Sequence, residues 1–311
     1  MYMRILILAL QANILNEEDP LIKINNLSSI YAYFFKKYLL KHNLLVDISD
    51  LYIDPNNLEN YDYCFILINR GTTYISNYDG LKNKIKHQIF TICENNKHIG
   101  KEDYLIHFVG KEKPKCIKTH FMADHNFLIP KKNKEKLIIL VDHKYYGDKE
   151  SRISKTDKTE FIIDDLLKYK AKNDNKYKNK EIIIKNIIEN QIIVVDNIDQ
   201  IKNTSFKQSA ISYSSICEYY NECDIFINTH MESMGLSNLE CAMSGALILT
   251  FKDFLKKEFK KKLYTITIDP NNINWNEIFS KIDPVGSRDK VINYNYENCV
   301  DFIYNNYLKK N

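Results

Sequence analysis

The sequence predicts an α/β protein built from two doubly wound, Rossmann-like domains. Short continuous apolar runs, typical of buried parallel strands, alternate with segments of helical spacing. A polar stretch at residues 130–136 separates two such series. The chain has 311 residues, which is enough for two domains of ordinary size.

The first domain, residues 1–132, opens as a β-α-β unit. Residues 4–10 form a continuous apolar strand, residues 28–42 have helical spacing, and residues 44–51 form a second strand. Further buried strands are predicted at residues 65–68, 88–93 and 104–109. This order predicts an open sheet that binds ligands at the carboxyl ends of its strands.

The second domain, residues 136–290, begins with a fresh strand at residues 137–141. After it, a helix is predicted at residues 159–169 and a polar surface segment at residues 170–180. Strands are predicted at residues 192–195 and 225–228. The tail, residues 291–311, contains a helix at residues 294–308.

Composition and charge predict a soluble enzyme. The net charge of +4 is mild, and no apolar run reaches the about 18–20 residues that span a bilayer, so no stable membrane insertion is expected. Seven cysteines are scattered without C-x-x-C spacing, which indicates neither a disulfide framework nor a zinc site. We therefore expect a reducing, cytoplasmic setting, or the host cytoplasm if the source is a virus.

Residues 224–245 are the most informative part of the chain. An apolar strand leads into a loop with Glu232, and Gly235 permits a turn that a side chain would obstruct. Ser237 and Glu240 have the spacing of a capping box that starts a helix. A helix N-terminus beyond the carboxyl end of a strand favours a phosphate.

The two carboxylates fit such a site if they accept hydrogen bonds from hydroxyl groups that flank the phosphate. Sugars and riboses offer those hydroxyls. The alternative is that Glu240 only completes the capping box with Ser237 and that Glu232 is a surface loop residue.

The stretch E-S-M-G-L-S-N-L-E-C-A-M-S-G, residues 232–245, resembles the Glu-x7-Glu signature of the retaining glycosyltransferases of the GT-B fold, group 1 or family 4-like. The resemblance implies two Rossmann-like domains that face each other across a cleft, with a C-terminal helix that returns to the first domain. It also implies that Glu232 contacts the donor sugar, that Glu240 binds the nucleotide ribose, and that the Gly235-Leu236-Ser237 segment faces the diphosphate. Ser233 and Ser237 replace the usual glycine and proline, which leaves the donor unidentified.

In the same family an arginine and a lysine after the first strand of the second domain clamp the diphosphate. Here the arginine is absent from its place, so His143 or Lys144, with Lys149 and Arg152, would supply the positive charge. The alternative is a solvated charged loop. Arg70 follows the third strand of the first domain and is a candidate for a donor-phosphate or acceptor contact, or for an ordinary surface ion pair.

The resemblance implies a retaining, metal-independent transfer of a sugar from a nucleotide-sugar to a hydroxyl acceptor, without a cofactor. The acceptor expected first is a surface glycan or lipopolysaccharide intermediate. The alternative acceptor is nucleic acid, through a hydroxymethylated base in DNA, as for some viral glycosyltransferases. Two other classes stay open: a nucleotide-sugar epimerase and a non-catalytic nucleotide-sugar binding module.

Residues 251–263 carry six lysines among apolar residues at helical spacing, which predicts an amphipathic helix with a basic face. That face meets solvent, an anionic membrane or nucleic acid.

Overall fold

The computed structural model describes residues 2–67, 78–95, 103–109, 114–119, 122–141, 153–188, 191–202, 211–229, 235–252 and 254–309. The chain divides into two compact units. The first contains Met1–Asp124, Ser212–Ser214 and Tyr294–Asn311, and the second contains His125–Ile211 and Ser215–Asn293. The domain limits predicted from sequence stay a prediction beside this division.

The sheet of the first unit is parallel in every described pairing and has the order β2-β1-β3-β4-β5-β6. Its strands are β1 (Arg4–Ala9), β2 (Leu45–Asp50), β3 (Tyr61–Leu67), β4 (Ile85–Asn95), β5 (Tyr104–Val109) and β6 (Cys116–Lys118). The helices described beside it are α1 (Ala12–Leu15), α2 (Leu27–Leu40) and α3 (Tyr78–Lys82). The strand order reverses between β1 and β3, which is where open α/β sheets form a ligand crevice.

Helix α2 packs an aromatic face into the first unit. Its Phe34 and Phe35 are fully buried, and the Phe34 ring stacks on Tyr296 with centroids 4.6 Å apart. Tyr296 begins α11 (Tyr296–Ile303), so the C-terminal segment belongs to this core. The hydroxyl of Tyr38 donates to the buried Asp124 carboxylate at 2.7 Å, which fixes the end of α2.

The sheet of the second unit has the order β10-β9-β7-β11-β12-β13, with β8 paired to β9. Its strands are β7 (Lys136–Val141), β8 (Lys176–Tyr177), β9 (Lys180–Ile188), β10 (Gln191–Val194), β11 (Ile225–Ile227), β12 (Leu247–Phe251) and β13 (Thr265–Ile268). The helices described with it are α4 (Ile153–Lys172), α5 (Asp199–Lys202), α6 (Tyr213–Glu222), α7 (Leu236–Met243), α8 (Lys257–Lys260), α9 (Trp275–Ser280) and α10 (Pro284–Asp289). β8 and β10 run antiparallel to β9, and the other pairs are parallel.

The order of this second sheet reverses between β7 and β11. β7 pairs with β9 on one side and with β11 on the other, with Ile225 opposite Ile139. The carboxylate of Asp224 accepts a hydrogen bond from the Ile138 amide at 2.8 Å, and the Asp224 amide donates to the Ile138 carbonyl at 2.9 Å. These bonds fix the register at the start of β11. Burial raises the pKa of Asp224.

The α/β fold class is confirmed, and two predictions about elements need correction. Strand β9 was not predicted, although it pairs directly with β7. The amphipathic helix predicted over residues 251–263 is wrong, because Phe251 ends β12 and only Lys257–Lys260 is helical. The apolar residues there are spread over the end of β12, the turns on either side of α8 and α8 itself, and each buries its side chain. Among the described helices, none is long and apolar enough to cross a membrane.

Candidate functional site

The candidate site lies where β11 ends and α7 begins. β11 is fully buried, and the next two residues, Asn228 and Thr229, are 1% and 6% exposed. Gly235 then precedes α7, an eight-residue helix. The site therefore sits at the carboxyl end of a strand that borders the reversal of strand order, where ligands of such sheets gather.

Gly235 sets the geometry of the helix start. Its φ is 73° and its ψ is 124°, a conformation that residues with a side chain rarely adopt. It occupies the N-cap position and offers no side-chain oxygen to the first turn. The backbone N–H groups in the first turn of a helix have no carbonyl partner within the helix, so this N-terminus suits an anion.

The predicted capping box is wrong. The helix starts at Leu236, so Ser237 is its second residue and Gly235 holds the N-cap position. Gly235, with its positive φ, forms the turn before the helix, so Ser237 is not needed as the N-cap residue. Glu240 lies one turn further along the helix and is only 4% exposed. Capping therefore does not explain why this carboxylate is buried.

Asn228 is a site residue that sequence reasoning missed. Its amide Nδ2 donates to Thr250 Oγ1 at 3.2 Å, and its backbone N–H donates to the Leu249 carbonyl at 2.8 Å. Within the described part of the chain its Oδ1 has no hydrogen-bond partner. The signal in the sequence is a polar amide directly after a buried apolar triplet, but its pairing with Thr250 depends on strand register.

The far end of α7 is held by backbone carbonyl contacts. Arg288 of α10 donates to the carbonyls of Met243 and Leu128, and to that of His125 at 2.6 Å. Burial lowers the pKa of this guanidinium, which nevertheless stays charged near neutral pH. Gly245 has φ 82°, and a Cβ there would lie 2.9 Å from the Pro284 carbonyl oxygen. The helix is therefore fixed at its C-terminal end.

A buried polar cluster lies beside α7. Lys132 Nζ donates to the carbonyl of Cys223, and burial lowers the pKa of this amine. The thiols of Cys223 and Cys241 are fully buried, and burial raises the pKa of Cys241 well above its ordinary value. A thiol with a raised pKa is a poor nucleophile, so Cys241 contributes packing rather than covalent chemistry.

The predicted site residues fall into two groups. Gly235, Leu236, Ser237 and Glu240 come together at the start of α7, the first three partly exposed and the last buried. The other candidates lie outside the described residues: Arg70, His143, Lys144, Lys149, Arg152 and Glu232. The roles assigned to all of them stay predictions. Among the described side chains, no group of three or more His, Cys, Asp or Glu is placed to hold a metal ion.

Solved structures similar to this chain come from sugar-transferring enzymes. Sucrose-phosphate synthase from Thermosynechococcus elongatus aligns with 10% identity and a TM-score of 0.59 over 99% of both chains. A glycosyltransferase from Rickettsia africae aligns with 11% identity and a TM-score of 0.54 over 100% of both. HepE of Anabaena in complex with UDP aligns with 11% identity and a TM-score of 0.51, over 99% of this chain and 100% of that one.

No protein-family model and no curated protein matches the sequence. At these identities the structural likeness establishes the fold. Both sheets are Rossmann-like, and the alignments extend over nearly the whole length of each chain. The chain has the GT-B fold of glycosyltransferases.

Proposed function

We propose that this protein is a glycosyltransferase that moves a sugar from a nucleotide-sugar donor to a hydroxyl group of an acceptor. The observation that carries the proposal is the start of α7. A glycine without a capping side chain opens the helix at the ligand edge of the second sheet, and Glu240 is buried one turn behind it.

The helix N-terminus would bind the donor diphosphate. The breaking sugar–phosphate bond leaves negative charge on the nucleotide diphosphate, and amide groups fixed before the reaction stabilise that charge without rearranging. A phosphate at a helix N-terminus takes the place that a capping oxygen fills elsewhere. The backbone of Gly235, Leu236 and Ser237 is assigned this role.

Two carboxylates would hold the hydroxyl groups on either side of the diphosphate. Glu240 accepts hydrogen bonds from the ribose, and Glu232 accepts them from the transferred sugar. A buried carboxylate that accepts hydrogen bonds from a diol gains two charge-assisted contacts, and these offset its desolvation. Lys149 and Arg70, with His143 or Lys144, are the candidate cations for the phosphates.

The reaction we propose retains the anomeric configuration and uses neither a metal ion nor a protein nucleophile. The bond from the anomeric carbon to the phosphate oxygen breaks, and the acceptor oxygen bonds to that carbon on the same face. The acceptor proton passes to the departing phosphate oxygen. The leaving group thus serves as the base, which requires only that Glu232 and the amides hold donor and acceptor together.

Uridine diphosphate is the first nucleotide to test, because a similarly folded protein, HepE of Anabaena, was crystallised with UDP. The acceptor we propose is a surface glycan or lipopolysaccharide intermediate, and the setting is cytoplasmic, without stable membrane insertion. A hydroxymethylated base in DNA is the second acceptor, supported only by the mild positive charge of the chain.

Product analysis tests the proposal. The protein is incubated with UDP-sugars and a mixture of glycan acceptors, and UDP release is measured with the anomeric configuration of the product. We expect UDP in equal amount to a glycoside of the donor's own configuration. A changed nucleotide-sugar without UDP would indicate an epimerase, and binding without any conversion would indicate a binding module. An inverted product would contradict the retaining mechanism while leaving the transferase intact.

A further inference from the structure

The segment that connects β12 to β13 concentrates positive charge on the surface of the second unit. We call residues 252–264 the basic crossover. It carries six lysines against two acidic residues, whereas the whole chain has 44 basic and 40 acidic residues. Its net charge equals that of the entire protein, so the rest of the chain is neutral.

The structure separates the lysines of the basic crossover from its apolar residues. Lys252, Lys256, Lys257 and Lys261 are exposed. Lys260 instead turns back and donates to the carbonyl of Phe251 at 3.3 Å. The apolar residues point inward and are at most 3% exposed: Phe254, Leu255, Phe259 and Leu263. Apart from the partly exposed Tyr264, the described exposed surface of the segment is therefore charged.

Within the part of the chain that the structure describes, no acidic side chain pairs with Lys252, Lys256, Lys257 or Lys261. Elsewhere in the chain, exposed lysines form ion pairs, such as Lys281 with Glu277 at 2.5 Å and Lys41 with Glu297 at 2.6 Å. Within the described residues, none of the four exposed lysines of the crossover makes such a pair. Lys290 adds to the same surface, since its Nζ lies 5.3 Å from the centre of the Tyr264 ring. Mutual repulsion at this surface is relieved by an anionic partner.

We propose that the basic crossover docks the protein on an anionic lipid surface by charge alone. Lysine ammonium groups are hydrated point charges that suit a diffuse anionic surface, whereas base recognition uses arginine forks and stacked aromatic rings. The phenylalanines of the crossover are buried and cannot stack on bases. Because the phenylalanines and leucines of the crossover are buried, the binding is peripheral and reversible by salt. This inference is independent of the proposed sugar transfer.

Each lysine near an anionic bilayer raises the affinity by about fivefold. The test variant replaces Lys252, Lys256, Lys257 and Lys261 by glutamine. The matched control replaces four exposed lysines of the same unit outside the crossover: Lys134, Lys172, Lys176 and Lys178. Both variants lower the formal net charge from +4 to zero, so a difference between them reports position rather than total charge.

Sedimentation with vesicles of phosphatidylcholine, with and without about one-third phosphatidylglycerol, measures the binding; the salt is raised from about 0.1 to 0.5 M to screen charges. We expect the unmodified protein and the control variant to bind only anionic vesicles and to be released by salt. The crossover variant should lose about 100-fold or more in partition coefficient. Unchanged melting temperatures show that all three proteins are folded.

Three results would overturn the proposal. In the first, the unmodified protein does not sediment with anionic vesicles. In the second, the two variants lose binding equally, which would show that net charge alone determines the binding. In the third, duplex DNA at equal phosphate concentration strips the protein from vesicles and binds through the same four lysines. That result would assign the crossover to nucleic acid instead of lipid.

Discussion

The starts of α2 and α7 each follow a strand that borders the reversal of strand order in its unit, and they are built in opposite ways. Each helix lies at the ligand edge of a sheet, next to the reversal of strand order. In α2, Asn26 caps the first turn by accepting from the Ser29 amide at 2.8 Å. Ser28 Oγ donates to the Leu67 carbonyl at 2.8 Å and so ties the helix to the end of β3.

Helix α7 has no side-chain cap from its own N-cap residue, because Gly235 stands where Asn26 stands in α2. Three further helices are capped by their own residues: α9 by Asn274, α10 by Asp283 and α11 by Asn295. A helix N-terminus that is satisfied internally contributes stability, whereas one opened by glycine is suited to an external anion. The contrast is our reason for proposing the edge at α7, and not the edge at α2, as the donor phosphate site.

The largest effect on stability is expected from Gly245→Ala, at the end of α7 opposite the site. The added Cβ meets the Pro284 carbonyl, and φ is positive, so unfolding free energy should fall by about 2–4 kcal/mol. Urea unfolding measures the change. A loss below about 0.5 kcal/mol, the usual range for a surface substitution, would show that the far end of α7 is not tightly held.

Gly235→Ala tests the glycine start directly. The strained φ should cost about 1–3 kcal/mol, shared between stability and the geometry of the first turn. We expect weaker binding of UDP together with a lower melting temperature. An affinity for UDP equal to that of the unmodified protein would show that the start of α7 is not part of the nucleotide site. The contrast between α2 and α7 would then carry no information about function.

Asn26→Ala is the counterpart in the first unit. Loss of the cap should lower the unfolding free energy by about 1 kcal/mol without changing the affinity for UDP. Thermal unfolding and calorimetric titration of the same sample check both statements. If this variant weakened UDP binding as much as Gly235→Ala does, the two helix starts would not differ in function.

The smallest expected effect concerns pH. Burial raises the pKa of Asp224 above 3.8, so the folded protein holds this proton more tightly than the unfolded chain does. The contribution of Asp224 to stability is therefore greatest at low pH and declines as pH rises through the raised pKa. Asp224→Asn removes the decline, so its stability relative to the unmodified protein should increase over that window. Urea midpoints that differ by a constant amount at every pH would contradict this.

Some features of the fold could be predicted because they are local. β1, β7 and β11 are uninterrupted apolar runs, and burial on both faces is enough to explain them. β9 was missed because Lys185 and Asn186 interrupt its apolar run. Lys185 reaches Glu222 at 3.3 Å, and this contact depends on tertiary structure.

The candidate site also combines features that are local in the sequence with contacts that depend on tertiary structure. The spacing of Gly235 and Glu240 could be recognised from the sequence, since both belong to one turn and its helix. The spacing of Ser237 and Glu240 predicts a capping box wrongly, because S-x-x-E also occurs one residue inside a helix that glycine opens. The contact of Asn228 with Thr250 joins two strands, so it follows from their register and not from any local pattern.

The most direct test is calorimetric titration of UDP into the unmodified protein, Glu240→Gln and the control Glu218→Gln, whose side chain is exposed on α6. Glutamine keeps the shape of Glu240 and removes its charge. We predict that Glu240→Gln lowers the affinity for UDP by about 10- to 150-fold, the worth of charge-assisted hydrogen bonds, and that Glu218→Gln has no effect. Equal affinities for all three proteins would contradict the assignment of this site to the nucleotide.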